Sequence, residues 1–283
     1  MADTVPDTPF LPRYFSRNLS WVDFNERVLE EGLRRDLLPL DRFKYLAIVS
    51  SNFDEFFMVR VAALKQALQN SENTDSENLT LTEELEAITR KVRSIQTRQY
   101  AALKEEVFPD LAQGGLSLIR PEDWTSSQKE YLESFFQREL FPLLTPLRVE
   151  DEVPLPSMEN LWIHGAFLLE DENFSDQLQE AKEKISIVRI PSVLNRIVRI
   201  PSAALAGEEK FYWALLEDLV MAWGDLLFPG YTVRERFLFN INRDADFSVD
   251  EQRDENFIEA MEEVLEDRET SMSSFRGRQS TNS

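Results

Sequence analysis

Residues 39–68 read PLDRFKYLAIVSSNFDEFFMVRVAALKQAL, and the folding of this stretch decides the first half of the chain. DRFKYLAIVS is an apolar-rich run that leads into SSNFDEFFMVRVAALKQAL. Ser51 and Asn52 stand three residues before Asp54 and Glu55. That is the spacing of a helix cap, so a break and a new helix start are expected there. Beyond it, Phe56, Phe57, Val59, Ala63 and Leu64 are spaced for a helix pressed on a core. On the N-terminal side, Ser20 with Asp23 three residues later predicts a capped helix carrying Phe24, Val28, Leu29 and Leu33, ending near Pro39. Trp21 and Phe24 read as core. On the C-terminal side, QNSENTDSENLT at 69–80 reads as a loop. From Thr82, Leu85, Ile88, Val92, Ile95 and Gln99 recur at three- and four-residue steps, predicting a long helix to about Val107, ahead of Pro109 and the Gly114, Gly115 pair.

The second half changes character. A capped helix is expected from about Thr125, stopped by Pro142 and Pro146. LWIHGAFLL, ISIVRIP and RIVRIP are short β-branched runs punctuated by proline and read as strands. IVRIP occurs at 187–191 and again at 197–201, which a hairpin explains more simply than a duplication. FYWALLEDLVMAWGDLL reads as an amphipathic helix, ERFLFNINRD as a strand with alternating Phe237, Phe239 and Ile241, and NFIEAMEEVLEDR as an acidic helix. The expected class is α+β: an all-helical first domain over 1–110, then an α/β domain with a small mixed or antiparallel sheet over 111–270, and a disordered tail at 271–283.

With 42% hydrophobic and 29% charged residues, 283 residues suffice to bury real cores. No run of eighteen apolar residues occurs, and MADTVPDTPFLPRYF has no basic and apolar leader pattern, so a cytoplasmic protein is expected, with peripheral membrane association left open. The absence of cysteine excludes disulfides, thiolate zinc sites and cysteine nucleophiles. Net charge is -21, the wrong sign for a general nucleic-acid or phosphate-polymer binder. The imbalance is uneven, since residues 1–68 hold nine Lys or Arg against ten Asp or Glu. An anion could approach this first segment. At 244–269, by contrast, twelve acidic and two basic side chains read as a solvated helix face. DADFSVDE lacks the glycine and terminal glutamate of a calcium loop.

FSRNLSWVDFNERVLEEG followed by PLDRFKYLAIVSSNFDEFFMVRVAALK resembles the opening signature of bacterial polyphosphate kinases of the phosphohistidine type. The likeness extends through GGLSLIRPEDWTSSQKEYLESFFQRELFPLLTPL, VRIPSVLNRIVRIP and FNINRDADFSVDE, to about Arg268. It implies an enzyme that moves the terminal phosphate of ATP onto inorganic polyphosphate and back, with Mg as metal. The first domain would hold ATP or ADP and the second, the head domain, would make dimer contacts. The resemblance gives Asn52 as the nucleotide contact; its carboxamide offers a donor and an acceptor side by side, as an adenine edge requires. Phe53 is the candidate apolar neighbour for the purine. From the residues alone, Asn52 reads as an N-cap, Asp54 and Glu55 as first-turn carboxylates that disfavour phosphate, and Arg60 as the partner of a local carboxylate. The base end of the nucleotide is therefore expected here.

The family's phosphoryl-accepting histidine and its Mg ligands belong to later domains, so no catalytic residue and no metal ligand is assigned in this chain. His164, the one histidine present, sits between apolar residues and reads as a structural strand residue. The expectation is a truncated product or split-enzyme half that contributes nucleotide binding and dimerisation, partnered by itself, a catalytic half or a full-length kinase, without nucleic acid or a transmembrane segment. The alternative is a regulatory interaction module that pairs with a complete kinase.

Overall fold

The computed structural model describes residues 16–70, 75–149, 158–171, 184–201 and 210–241. The expected acidic helix, the DADFSVDE carboxylates and the C-terminal tail lie outside them. The chain divides into two compact units, Met1–Gly114 and Gly115–Ser283.

Unit 1 is helical. Helix α1 spans Arg17–Leu33 and is capped by Ser16, whose Oγ accepts from Leu19 N at 3.1 Å. The helix thus starts one turn before the expected Ser20, whose hydroxyl instead donates back to Ser16 O at 2.7 Å. Helix α2 spans Pro39–Phe56, with proline in the first turn where its missing N–H costs nothing. It runs unbroken through Ser51 and Asn52. The expected recapping fails because Leu46, Val49, Phe53 and Phe56, exposed by 3% or less, form one continuous stripe. Packing of that stripe outweighs the local capping preference of Ser and Asn.

The irregularity comes later, as a π turn at Phe57–Val61, followed by helix α3 at Ala62–Asn70. The wider turn shifts the buried stripe, so Val61 is inside and Val59 is 49% exposed. Helix α4 spans Asp75–Ala102, which claims part of the expected loop. Its Ile88, Val92, Ile95 and Gln99 are buried as the spacing required. A second π turn at Leu103–Val107 leads into helix α5, Phe108–Gln113, where Pro109 occupies the first turn instead of ending a helix. Lys91 pairs with Asp23, and Arg98 with Glu26 and Glu30, so α4 is fixed in register on α1. Phe24 is 48% exposed under the Arg27 guanidinium, which removes it from the expected core.

Among its described residues, unit 2 holds two sheets. Strands β1 (Leu116–Leu118), β6 (Phe211–Leu215) and β5 (Ile197–Ile200) form a mixed sheet in the order β1-β6-β5. Strands β2 (Pro146–Arg148), β4 (Lys184–Arg189), β3 (Ile163–Asp171) and β7 (Tyr231–Asn240) form an antiparallel sheet in the order β2-β4-β3-β7. The two IVRIP copies fall in β4 and β5, hence in different sheets, and the expected hairpin does not form. Helix α6, Ser126–Phe135, carries the Thr125–Gln128 capping box; a π turn at Phe136–Leu140 and a 3-10 turn at Phe141–Leu143 extend the helical run to Leu143, past Pro142. The expected helix over 211–227 divides into β6, helix α7 (Leu216–Trp223) and a 3-10 turn. Phe-Tyr-Trp favours a strand, and β1 and β5 on either side supply its ladder.

Phe136, Phe167, Leu132, Leu216 and Leu219 centre the larger core of this unit. Phe167 is fully buried because Gly224 leaves room for it: a Cβ there would stand 2.6 Å from its ring. The cross-strand register puts Ile197, Arg199, Phe211, Trp213 and Leu215 on one face of the mixed sheet, opposite the face that buries Val198, Ile200 and Ala214. Ile197 and Phe211 on that outer face are 55% and 51% exposed.

Candidate functional site

Asn52 lies inside α2, half-buried, and its side chain addresses the neighbouring helix, so the expected capping role is absent. Asn52 Nδ2 donates to Asn25 Oδ1 at 2.9 Å, and Asn25 Nδ2 donates to the Val49 carbonyl of α2 at 3.2 Å. Asn25 is completely buried on the inner face of α1. Burying an amide is costly unless its polar atoms are bonded, and these two bonds meet that need. Among the described residues Asn52 Oδ1 accepts no hydrogen bond. One turn earlier on α1 and one turn later on α2, Trp21 stacks on Phe56 with ring centroids 4.5 Å apart and an interplanar angle of 6°. That stack holds α1 against α2 beside the amide pair.

Phe53 is 3% exposed and meets Trp21 edge-on at 6.1 Å. The expected apolar contact with a purine therefore gives way to a packing role behind Asn52. Ile48, one turn before Asn52 on the same helix row, is 45% exposed and is the apolar surface beside the carboxamide. Asp54 and Glu55 stand at the C-terminal end of α2, so the first-turn argument about the helix dipole does not apply to them. Burial pushes the Asp54 carboxyl above its usual range.

Arg60 sits half-buried in the π turn and forms no ion pair among the described residues, contrary to expectation. The physical reason is local: its three- and four-residue neighbours Phe56, Phe57, Ala63 and Leu64 are all apolar. Among the described residues of this unit the buried cation is Arg42, 2% exposed, which donates to Glu106 Oε2 at 2.6 Å and to Gly32 O at 3.1 Å.

In unit 2, His164 is 2% exposed, stacks on Phe239 at 5.4 Å and holds Nδ1 3.0 Å from Trp162 O. Burial lowers its pKa, which favours the neutral ring. Two adjacent buried carboxylates open α7. Glu217 receives Arg196 Nε at 2.8 Å, while Arg120 Nη1 stands 3.1 Å from Asp218 Oδ2 without hydrogen-bond alignment. Burial raises Asp218 to about 6 against the opposing Arg120 charge. Among the described residues no group of three or more His, Cys, Asp or Glu is placed to hold a metal ion.

Sequence reasoning singled out Asn52 but missed Asn25. The signal was available, for Val22, Asn25 and Leu29 follow the buried spacing of α1, and an amide in such a row must find partners inside.

The family described as polyphosphate kinase N-terminal domain matches residues 14–119, and that described as polyphosphate kinase middle domain matches residues 127–274. The polyphosphate kinase of Bacillus cereus is 36% identical over 257 residues, covering 90% of this chain and 36% of that protein. The polyphosphate kinase of Mycobacterium avium is 35% identical over 258 residues, covering 89% of this chain and 34% of that protein. The crystal structure of polyphosphate kinase from Porphyromonas gingivalis superposes with a TM-score of 0.71 at 30% identity, covering 84% of this chain and 34% of that one. The chain thus spans about a third of the length of these relatives. With an N-terminal helical unit followed by a two-sheet unit, matched in order by both families, the chain belongs to the polyphosphate kinase family and carries its N-terminal and middle domains.

Proposed function

We propose that this chain is the nucleotide-holding and dimerising part of a polyphosphate kinase, an enzyme that exchanges the terminal phosphate of ATP with inorganic polyphosphate. Asn52 contacts the adenine of ATP or ADP, and the phosphoryl-transfer groups belong to polypeptide outside these two domains. The observation that carries the reading is the Asn52 carboxamide, which spends one N–H on Asn25 and keeps an oxygen without a partner among the described residues. Such an edge matches the 6-amino group and adjacent ring nitrogen of adenine. Ile48 supplies the neighbouring apolar surface in the place intended for Phe53. The balance of charge over residues 1–68 lets an anionic nucleotide approach despite the net charge of -21.

His164 does not suit phosphoryl transfer. A nucleophile needs access and a stabilised anionic product, whereas this ring is 2% exposed and stacked on Phe239. For dimerisation, support comes from the outer face of the mixed sheet, where Ile197 and Phe211 leave apolar area for a second copy of the chain. The nucleotide reading is tested by calorimetry with ATP. A paired carboxamide contact is worth about 1–3 kcal/mol, so Asn52→Ala weakens ATP about tenfold. Equal Kd values for the parent and Asn52→Ala overturn it.

A further inference from the structure

We infer that Asn25 is a positioning residue that fixes which way round the Asn52 carboxamide faces, and so makes unit 1 select a 6-aminopurine over a 6-oxopurine. The inference rests on the proposal that Asn52 reads the base. It follows from the direction of two hydrogen bonds. The Val49 carbonyl can only accept, so the end of Asn25 that meets it at 3.2 Å must be the NH2 group. Asn25 Oδ1 is then turned toward Asn52, and a carboxamide oxygen also only accepts. Asn52 must therefore present Nδ2 to Asn25, as it does at 2.9 Å.

The polarity of this relay starts from a backbone carbonyl locked in α2, and nothing at its inner end can rotate to reverse it. Were Asn52 to flip, its oxygen would face Asn25 Oδ1, leaving a fully buried acceptor without its donor. That loss disfavours the flipped form by a factor of roughly 5 to 150. The Trp21–Phe56 stack one turn away holds the two helices at the separation the relay needs.

The outward edge of Asn52 is consequently fixed as an acceptor beside one remaining N–H. Adenine offers the complement, an amino donor beside a ring-nitrogen acceptor. Hypoxanthine offers the reverse, an oxo acceptor beside an N1–H donor, and it could be read only by the flipped amide. Asn25 touches no base itself; it sets the sign of the edge that does.

The test titrates the full chain with ATP and with ITP, which differ in this edge, and follows binding by NMR. The parent is expected to favour ATP about tenfold. Asn25→Leu, with no polar atom to orient Asn52, is expected to bring the ATP-to-ITP ratio close to 1. Asn25→Asp keeps an acceptor for Asn52 and, with its buried carboxyl protonated, a donor for the Val49 carbonyl, and is expected to keep the preference. A parent without preference, or an Asn25→Leu variant that weakens both nucleotides equally, overturns the inference, because lost packing alone would act on both alike. Asn52→Ala separates the two levels. If it binds ATP as the parent does, the reading of Asn52 itself fails; if it loses ATP while Asn25→Leu keeps the parent's ratio, only the relay fails. Should Asn25→Leu not fold, the side-chain amide spectrum of the parent decides. One Asn52 amide pair with a proton protected by Asn25 is expected, and exchange between two orientations refutes the relay.

Discussion

Glu106→Gln is expected to destabilise unit 1 by about 2 kcal/mol. The substitution removes the countercharge of Arg42, whose side chain is 2% exposed and reaches Glu106 Oε2 at 2.6 Å. Deleting one partner of a fully buried ion pair costs about 3–5 kcal/mol, because the remaining charge is left uncompensated. Here the cost is lower for three reasons. Glu106 is itself 31% exposed, Asp110 stays 3.7 Å from the guanidinium, and Gln retains a neutral acceptor. Native-state hydrogen exchange of amides in residues 42–56 measures the effect, since it reports the opening of this unit by itself. Arg42→Met combined with Glu106→Gln should recover much of the loss, giving a coupling of about 2 kcal/mol in the double-mutant cycle. The coupling should also survive high salt, which screens a buried pair far less than a surface one. Its pH window has a definite sign. Hydrogen bonds from Arg35 and then Arg42 lower the Glu106 pKa, so the stabilisation is present above the unfolded carboxylate value and is lost as pH falls through the folded one. Strictly additive single and double substitutions would refute this account of what ties the π turn at Leu103–Val107 to α2.

Two further outcomes are expected in unit 2. Asp218 is raised to about 6 by burial, with Arg120 and Arg196 opposing and Glu217 and Glu122 reinforcing the shift. The folded state therefore binds the proton more tightly than the unfolded one, and stability should decline by up to about 3 kcal/mol as pH rises from about 4 to about 6, then level off. Asp218→Asn should abolish that slope in thermal melts, and an unchanged slope contradicts the assignment. In sedimentation equilibrium the parent should dimerise, while Ile197→Glu, on the outer face of the mixed sheet, should shift it to monomer. A parent that is monomeric at every concentration removes the dimer proposal.

Most of the architecture was legible from period and punctuation. Ile88, Val92, Ile95 and Gln99 mark their helix face, and Thr125 with Gln128 marks a helix start. Failures occurred where tertiary contacts override a local signal. Ser51 and Asn52 look like caps, but Val49, Phe53 and Phe56 carry the helix through them. The π turns were illegible because a five-residue turn has no composition of its own and only shifts the phase of the pattern, which is how Val59 came to be expected inside. Phe211–Leu215 was read as helix because its strand character depends on neighbours remote in sequence. At the candidate site, Asn52 was found through resemblance, whereas Asn25 required knowing which atom the Val49 carbonyl faces.

The two IVRIP words set the folding chain an ambiguity. Both end in proline, one pairs in the antiparallel sheet and the other in the mixed sheet, and only ten residues of offset separate them. Within the pentapeptide nothing distinguishes a correct partner for β3 from an incorrect one. The choice falls to the flanks: Lys184, Ile185 and Ser186 extend the first copy along β3, and the second has Leu194, Asn195 and Arg196 instead. A nascent β3 that captures the second copy would enter a misregistered trap, escaping only by breaking a ladder of native-looking bonds. Arg196, bound to Glu217 at the start of α7, ties the residue just before the second copy to that helix, whereas the first copy has Ser186 at the corresponding position.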